Sequence, residues 1–130
     1  MTRQIAEKKH TILVVDDDEL LRQMLSDQLE QAGFSVVTAS DGGKGLEQLA
    51  EKDVSLVLAD LVMPEIDGIE FCKRVRADAD LVSLPIILLT GRSDLGGGVN
   101  PFEVGADDYL SKPVDPIELI NRIQSHIVKR

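Results

Sequence analysis

Five polar or charged residues stand out because each lies at the end of a short apolar run. They are Asp16 and Asp17 after T-I-L-V-V, Asp60 after V-S-L-V-L-A, Thr90 at the end of P-I-I-L-L-T, and Lys112 after D-Y-L-S. Apolar runs of this length are typical of strands that are buried on both faces of a sheet. Since open α/β sheets place their chemistry at the carboxyl ends of the strands, we expect the five side chains to form one site.

The three acidic residues of this set predict a cation site. Two carboxylates about 4 Å apart repel each other by roughly 4 kcal/mol at an effective dielectric constant near 20. A cluster of this kind therefore either retains a proton at a raised pKa or recruits a cation. Oxygen ligands alone, without histidine or cysteine, suit Mg²⁺.

The other two residues add groups that a phosphoryl group requires. Lys112 supplies an ammonium group and Thr90 supplies a hydroxyl. A carboxylate can attack phosphorus and form an aspartyl phosphate, while a cation and an ammonium group offset the charge on the phosphoryl oxygens. The residue types therefore favour transfer of a phosphoryl group onto a carboxylate.

Alternating strand and helix patterns are predicted to position these residues. Strands are predicted over residues 11–15, 34–39, 54–60, 85–90 and 108–111, and a helix is due after each of them. Five βα repeats with short connections predict an α/β fold: a doubly wound, five-stranded parallel sheet with helices on both faces. The segment 91–105 fits this pattern least, because Gly96, Gly97, Gly98 and Asn100-Pro101 oppose a helix. We expect the helix there to be short, displaced or partly melted.

Apolar spacing predicts which face of each helix is buried. A turn is expected over residues 40–43, and Asp115-Pro116 is expected to start the last helix as its cap and first residue. The predicted faces are Leu20, Leu21, Met24, Leu25, Leu29 and Ala32 in the first helix; Leu46, Leu49 and Ala50 in the second; Ile69, Cys72 and Val75, with Phe71 beside them, in a third over about 67–76; and Ile120, Ile123 and Ile127, flanked by Leu119, in the last.

Length and composition indicate one domain with a short lead-in. The chain has 130 residues, of which 43% are hydrophobic, and one cysteine, which excludes an internal disulfide. The net charge of −9 argues against direct binding of nucleic acid or of an anionic membrane surface. We expect a flexible lead-in over residues 1–9, a single domain over 10–130 without an appended effector, and a cytoplasmic location.

Four segments in this order resemble the receiver domain of two-component response regulators. They are I-L-V-V-D-D-D, L-V-L-A-D-L-V-M-P-E-I-D-G, I-I-L-L-T-G and G-A-D-D-Y-L-S-K-P, and the resemblance extends from about residue 10 to residue 129. It implies the flavodoxin-like (βα)5 receiver fold. It also implies a signalling switch and not a classical enzyme: the domain takes phosphate from a histidine kinase or a histidine phosphotransfer protein and slowly dephosphorylates itself.

The resemblance assigns roles to the acidic residues. Asp60 is similar to the phosphoacceptor of the family. Asp16 and Asp17 resemble the acidic pair that binds Mg²⁺, with Asp17 as the more direct ligand. Asp60 itself and the backbone carbonyl of Val62 would complete the protein ligands of the metal.

The resemblance also assigns residues to the switch. Thr90 is similar to the switch hydroxyl, Tyr109 to the switch aromatic and Lys112 to the phosphate-binding lysine. Lys112-Pro113 resembles a peptide bond that is cis in this family. Phosphorylation of such a domain changes a surface that binds an output partner protein, and the chain is expected to be a monomer or a phosphorylation-dependent dimer.

Other interpretations compete with this one. The acidic run from Asp16 to Glu19 could serve only the N-terminus of a helix. A nucleotide binder of similar fold would need a phosphate cradle where this chain has acid, and an aspartate-dependent phosphatase would need a second carboxylate where Val62 stands. The main alternative is an interaction module that keeps the receiver fold and works without phosphorylation.

Overall fold

Five strands of four or five residues form one parallel sheet in the computed structural model, which describes residues 9–91 and 105–128. They are β1 (Thr11–Val15), β2 (Ser35–Ala39), β3 (Leu56–Asp60), β4 (Ile86–Thr90) and β5 (Asp108–Ser111). Their order across the sheet is β2-β1-β3-β4-β5. After β2 the chain crosses back over β1 to form β3, so the strand order reverses between the neighbouring strands β1 and β3. In open α/β sheets the carboxyl edge at such a switch point holds the functional site.

Aspartate caps fix where the helices begin. The helices are α1 (Glu19–Gln31), α2 (Gly42–Glu51), α3 (Gly68–Arg76) and α4 (Pro116–Val128), with a short 3₁₀ helix at Ala79–Leu81. The carboxylates of Asp18, Asp41 and Asp67 accept hydrogen bonds from backbone amides in the first turns of α1, α2 and α3. Asp115 accepts one from Ile117, directly after the proline that starts α4.

The core forms two layers, one on each face of the sheet. One face packs Leu13, Val15, Val57 and Leu88 against α2 and α3. The opposite face packs the alternate strand residues against α1 and α4, including Leu29 and Ile123. Every residue of β3 and β4 is buried. The doubly wound parallel sheet that the sequence predicts is confirmed.

Strand boundaries differ little from the predicted ones, and one turn is shorter than expected. Phe34 and Pro85 lie just outside β2 and β4, and β3 begins at Leu56. The turn predicted over residues 40–43 is wrong in its second half, because α2 already begins at Gly42. A Cβ atom on Gly42 would lie 2.8 Å from Cγ2 of Ile66. This close packing favours glycine at the first position of α2.

Three residues of the face predicted for the first helix are exposed: Leu20, Met24 and Ala32, the last of which follows the end of α1. Leu20 is 70% exposed and Met24 is 49% exposed, whereas Leu25 and Leu29 are buried and Leu21 is half-buried. The buried stripe therefore follows the i, i+4, i+8 positions 21, 25 and 29, and it is narrower than apolar spacing suggests. The exposed leucine lies in the first turn of α1, next to the carboxyl edge of the sheet.

Two residues that were predicted beside a buried face are central to it. Phe71 and Leu119 are fully buried, whereas Ile69, Ile120 and Ile127 are only partly buried. The fully buried apolar residues are Phe71, Cys72 and Val75 in α3 and Leu119 and Ile123 in α4.

Two predictions fall largely outside the described residues. The glycine-rich part of 91–105 lies within 92–104, and nearly all of the lead-in over 1–9 lies within 1–8. The single domain over 10–130 stays a prediction. None of the helices found in residues 9–91 and 105–128 has the length and apolar character that spanning a bilayer requires.

Candidate functional site

The carboxyl edge of the sheet gathers the charged residues into one cluster. Carboxylate oxygens of Asp16, Asp17 and Asp60 lie within 4.8 Å of one another. Nζ of Lys112 lies 3.1 Å from Oδ2 of Asp60 and 3.5 Å from Oδ2 of Asp16. The ends of β1, β3 and β5 therefore meet at a single point, since all three strands run parallel.

Asp16 is held in place through its backbone and one carboxylate oxygen. Its amide donates to the carbonyl of Ala39 at 3.1 Å, and its Oδ1 accepts from the amide of Asp18 at 2.9 Å. Its carbonyl accepts from Nη1 of Arg22 at 2.6 Å. Oδ2 has no well-formed hydrogen bond among the described residues, although it lies at ion-pair distance from Lys112. One oxygen of a fully buried carboxylate thus faces the cluster without a full partner.

Burial raises the pKa of Asp16 above its ordinary value, and the charge of Asp60 raises it further. The amide of Asp18 and the ammonium group of Lys112 act in the opposite direction but do not restore the ordinary pKa. The fold therefore destabilises the charged form of Asp16. A cation bound beside this carboxylate would offset that cost.

Asp60 is positioned by the turn between β3 and α3. It is 5% exposed, and its Oδ1 accepts from the amide of Val62 at 3.3 Å. The amide of Gly68 donates to the carbonyl of Leu61 at 2.8 Å, which draws the start of α3 against the end of β3. A Cβ atom on Gly68 would lie 2.7 Å from the carbonyl oxygen of Asp60, so this approach requires glycine.

Lys112 is tied to both buried carboxylates. Burial by itself lowers the pKa of Lys112, but the hydrogen bond to Asp60 and the charges of Asp16 and Asp60 outweigh that effect, and the net pKa is raised. The ammonium group is therefore charged throughout the physiological range. The following peptide bond, between Lys112 and Pro113, is cis.

Thr90 and Tyr109 lie on the two strands beyond β3, Thr90 on β4 and Tyr109 on the edge strand β5. Thr90 ends β4 and is fully buried, and its hydroxyl has no hydrogen-bond partner in the described part of the chain. Its carbonyl accepts from the amide of Lys112 at 2.7 Å, which joins the ends of β4 and β5. Tyr109 is partly buried on β5 and packs against the core on the α2–α3 face.

The donor set fits a divalent cation and an anion. Asp16 and Asp60 present buried carboxylates, whereas Asp17 is exposed at the mouth of the cluster. Carboxylate oxygens together with water are the usual ligands of Mg²⁺. A buried hydroxyl and a charged lysine beside them suit the oxygens of a phosphoryl group.

Sequence reasoning missed one contact at this site. Arg22 reaches back from α1 to the carbonyl of Asp16. The sequence gives no signal for it, because a backbone acceptor can lie beside any residue type. An arginine four residues after the cap Asp18 is also unremarkable on a helix.

The family model of the response regulator receiver domain matches residues 12–124. Among curated proteins, the transcriptional regulatory protein GltR of Pseudomonas aeruginosa is 42% identical over 115 residues, which are 88% of this chain and 48% of that protein. The alkaline phosphatase synthesis transcriptional regulatory protein PhoP of Bacillus subtilis is 39% identical over 114 residues, 88% of this chain and 47% of that protein. The chain spans about half the length of the curated relatives that it matches.

Solved structures agree with this match. The response regulator receiver domain protein of Clostridium thermocellum superposes with a TM-score of 0.85 at 30% identity, covering 92% of this chain and 95% of that one. The chemotaxis protein CheY4 of Vibrio cholerae gives a TM-score of 0.84 at 33% identity, covering 91% and 98%.

Proposed function

Because this chain belongs to the family of response regulator receiver domains, we propose that Asp60 accepts a phosphoryl group and that its phosphorylation switches a surface that binds a partner protein. The observation that carries the proposal is the placement of Asp60. Its carboxylate is nearly buried, pairs with Lys112 and lies within 4.8 Å of two further carboxylates.

The proposed reaction is a nucleophilic displacement at phosphorus. A carboxylate oxygen of Asp60 forms the new bond to phosphorus, while the bond between phosphorus and the imidazole nitrogen of the donor breaks and its electron pair leaves with the imidazole. The ammonium group of Lys112, 3.1 Å from Asp60 in this structure, binds the oxygens of the transferred group. The hydroxyl of Thr90 donates to one of these oxygens in the product.

Asp16, Asp17 and Asp60 are the proposed side-chain ligands of Mg²⁺, with the backbone carbonyl of Val62 as the fourth protein ligand. When bound, this cation would neutralise charge on the phosphoryl oxygens. The raised pKa of Asp16 supports the proposal, because it shows a buried acid whose charge lacks full compensation from the protein. Tyr109 and Thr90 are the proposed switch residues, and slow self-dephosphorylation resets the domain.

The proposed phosphodonor is a histidine kinase or a histidine phosphotransfer protein. Leu20, Val62 and Ile117 are 70%, 58% and 73% exposed, and each closely follows the carboxyl end of a strand that forms the site. Exposed apolar side chains around a charged pocket suit protein docking. The output partner is proposed to be a protein in the cytoplasm, bound by a monomer or a phosphorylation-dependent dimer, and the net charge of −9 argues against direct contact with DNA by this domain.

Intact mass spectrometry tests the proposed acceptor. Wild type, Asp60→Asn and Asp27→Asn are incubated with Mg²⁺ and a small-molecule phosphodonor, and Asp27 is an exposed residue of α1 that serves as the matched control. We expect one added phosphoryl group in wild type and in Asp27→Asn, and none in Asp60→Asn. Failure of all three to gain mass would favour the phosphorylation-independent interaction module.

A further inference from the structure

The side chain of Arg22 contacts the backbone of the acidic pair. Arg22 lies in the first turn of α1, is half-buried, and donates from Nη1 to the carbonyl of Asp16 at 2.6 Å. This carbonyl belongs to the peptide group that joins Asp16 to Asp17. The direction in which the side chain of Asp17 leaves the backbone depends on the orientation of that peptide group.

The contact completes the restraint of this turn. The amide of Asp16 is held by the carbonyl of Ala39, and its Oδ1 is held by the amide of Asp18. Without Arg22, no hydrogen bond among the described residues would hold the carbonyl between the two acids. Charged hydrogen bonds to a carbonyl are shorter and stronger than neutral ones, so this contact is well suited to fixing the peptide plane.

The guanidinium group is not used for an ordinary ion pair. In residues 9–91 and 105–128, Arg22 forms no salt bridge, whereas Arg74, Arg76 and Arg122 each pair with a carboxylate. The acidic cluster lies close by, yet the contact of Arg22 is with a carbonyl oxygen. Its geometry therefore indicates orientation of the backbone and not neutralisation of the acids.

We propose that Arg22 is a positioning residue for the cation of the site: it orients the peptide between Asp16 and Asp17 so that both carboxylates meet the cation together with Asp60. The cation is the Mg²⁺ of the proposed function, on which this inference rests. Groups that orient ligating side chains through hydrogen bonds contribute about 10- to 100-fold to metal affinity in other proteins, and we take the lower end for a contact that acts through the backbone.

The direction in which Mg²⁺ affinity changes when Arg22 is replaced distinguishes a positioning role from an effect of its charge. A positive group near an anionic pocket repels a cation, so loss of the Arg22 charge alone would tighten the binding of Mg²⁺. Loss of the restraint on the peptide between Asp16 and Asp17 would weaken it. The two explanations predict opposite changes in affinity for the same substitution.

The experiment is a titration with Mg²⁺ alone, in which amide chemical shifts in NMR report binding. The proteins compared are wild type, Arg22→Met, Arg22→Lys and Arg74→Met. Arg74 is the matched control, because it is an exposed arginine in the last turn of α3 that pairs with Glu70. We expect the dissociation constant to rise about tenfold in Arg22→Met, to recover in part in Arg22→Lys, which keeps one donor, and to stay unchanged in Arg74→Met.

Thermal unfolding of each variant shows whether it is folded, and Arg22→Gln replaces Arg22→Met if the latter does not fold. Wild-type affinity, or tighter binding, in the folded variant that lacks the arginine would overturn the positioning role. Absence of Mg²⁺ binding in wild type would instead overturn the proposed function. The two failures are therefore distinguishable in one series of titrations.

Discussion

A buried acid with an incompletely paired oxygen carries an energetic cost at this site. Asp16 is fully buried, and its raised pKa shows that the folded protein disfavours the charged form. Lys112 offsets only part of this cost, because it also pairs with Asp60 at the shorter distance of 3.1 Å. The cation proposed for this site would offset the remaining cost when bound.

Replacement of Asp16 by Asn is expected to stabilise the cation-free protein at neutral pH. The amide keeps an oxygen for the backbone amide of Asp18 but carries no buried charge, so a gain on the order of 1 kcal/mol in the free energy of unfolding is expected. Urea unfolding without divalent ions, with Asp27→Asn as the exposed control, measures it. A loss of stability in Asp16→Asn would show that pairing with Lys112 outweighs the cost of burial.

At the scale of elements, strands were predicted more accurately than helix faces. β3 and β4 are buried along their whole length, so their apolar runs determine both their type and their boundaries to within two residues. A helix buries only one stripe, and apolar spacing alone does not determine which apolar residues lie at the centre of that stripe. Phe71 and Leu119 illustrate this, because their positions in the pattern were equally compatible with the edge of a face.

The edge strand β5 is fastened to α4 by one carboxylate. Asp108 accepts from Nη1 of Arg122 at 2.6 Å and lies 3.0 Å from Nε2 of His126. Its side chain is only 17% exposed. Burial by itself raises the pKa of Asp108. The hydrogen bonds from His126, Arg122 and the amide of Tyr109 have a larger effect in the opposite direction, so the net pKa is lowered from its ordinary value of 3.8.

Stability of the protein is therefore expected to depend on Asp108 in a defined pH window. Since the pKa is lower in the folded state, the contribution is fully present above the ordinary value of 3.8 and is lost as the pH falls through the depressed value. We expect Asp108→Asn to destabilise the protein by about 1–3 kcal/mol near neutral pH and to differ less from wild type in acid. Urea midpoints from neutral pH to below 3.8 test this, and a difference that is constant with pH would contradict it.

At the scale of the whole molecule, the sequence predicts which charged residues meet at the carboxyl edge of the sheet but not the contacts that support them. Parallel strands share one carboxyl edge, so five residues distributed over almost 100 positions were expected to meet, and the structure places the carboxylates of Asp16, Asp17 and Asp60 and the lysine Lys112 together. The supporting contact of Arg22 with a carbonyl depends on three-dimensional geometry alone. The spacing of residue types predicts which side chains lie at the same edge of the sheet. It does not predict which side chain contacts a given backbone atom.

The acidic cluster exists only when β1 and β3 are paired, so Mg²⁺ is expected to bind the folded chain and not the unfolded one. A ligand at 100 times its dissociation constant then stabilises the fold by about 2.7 kcal/mol, which corresponds to a rise on the order of 10 °C in the unfolding temperature of a domain of this size. Differential scanning calorimetry with increasing MgCl₂ at constant ionic strength measures the rise.

Asp27→Asn should respond as wild type does, because its side chain lies outside the cluster. Asp17→Asn should lose most of the response, because it removes one of the three carboxylate charges of the cluster. If the unfolding temperature of Asp17→Asn rose as much as that of wild type, the stabilising ion would bind elsewhere on this acidic chain and not at the cluster on the carboxyl edge of the sheet.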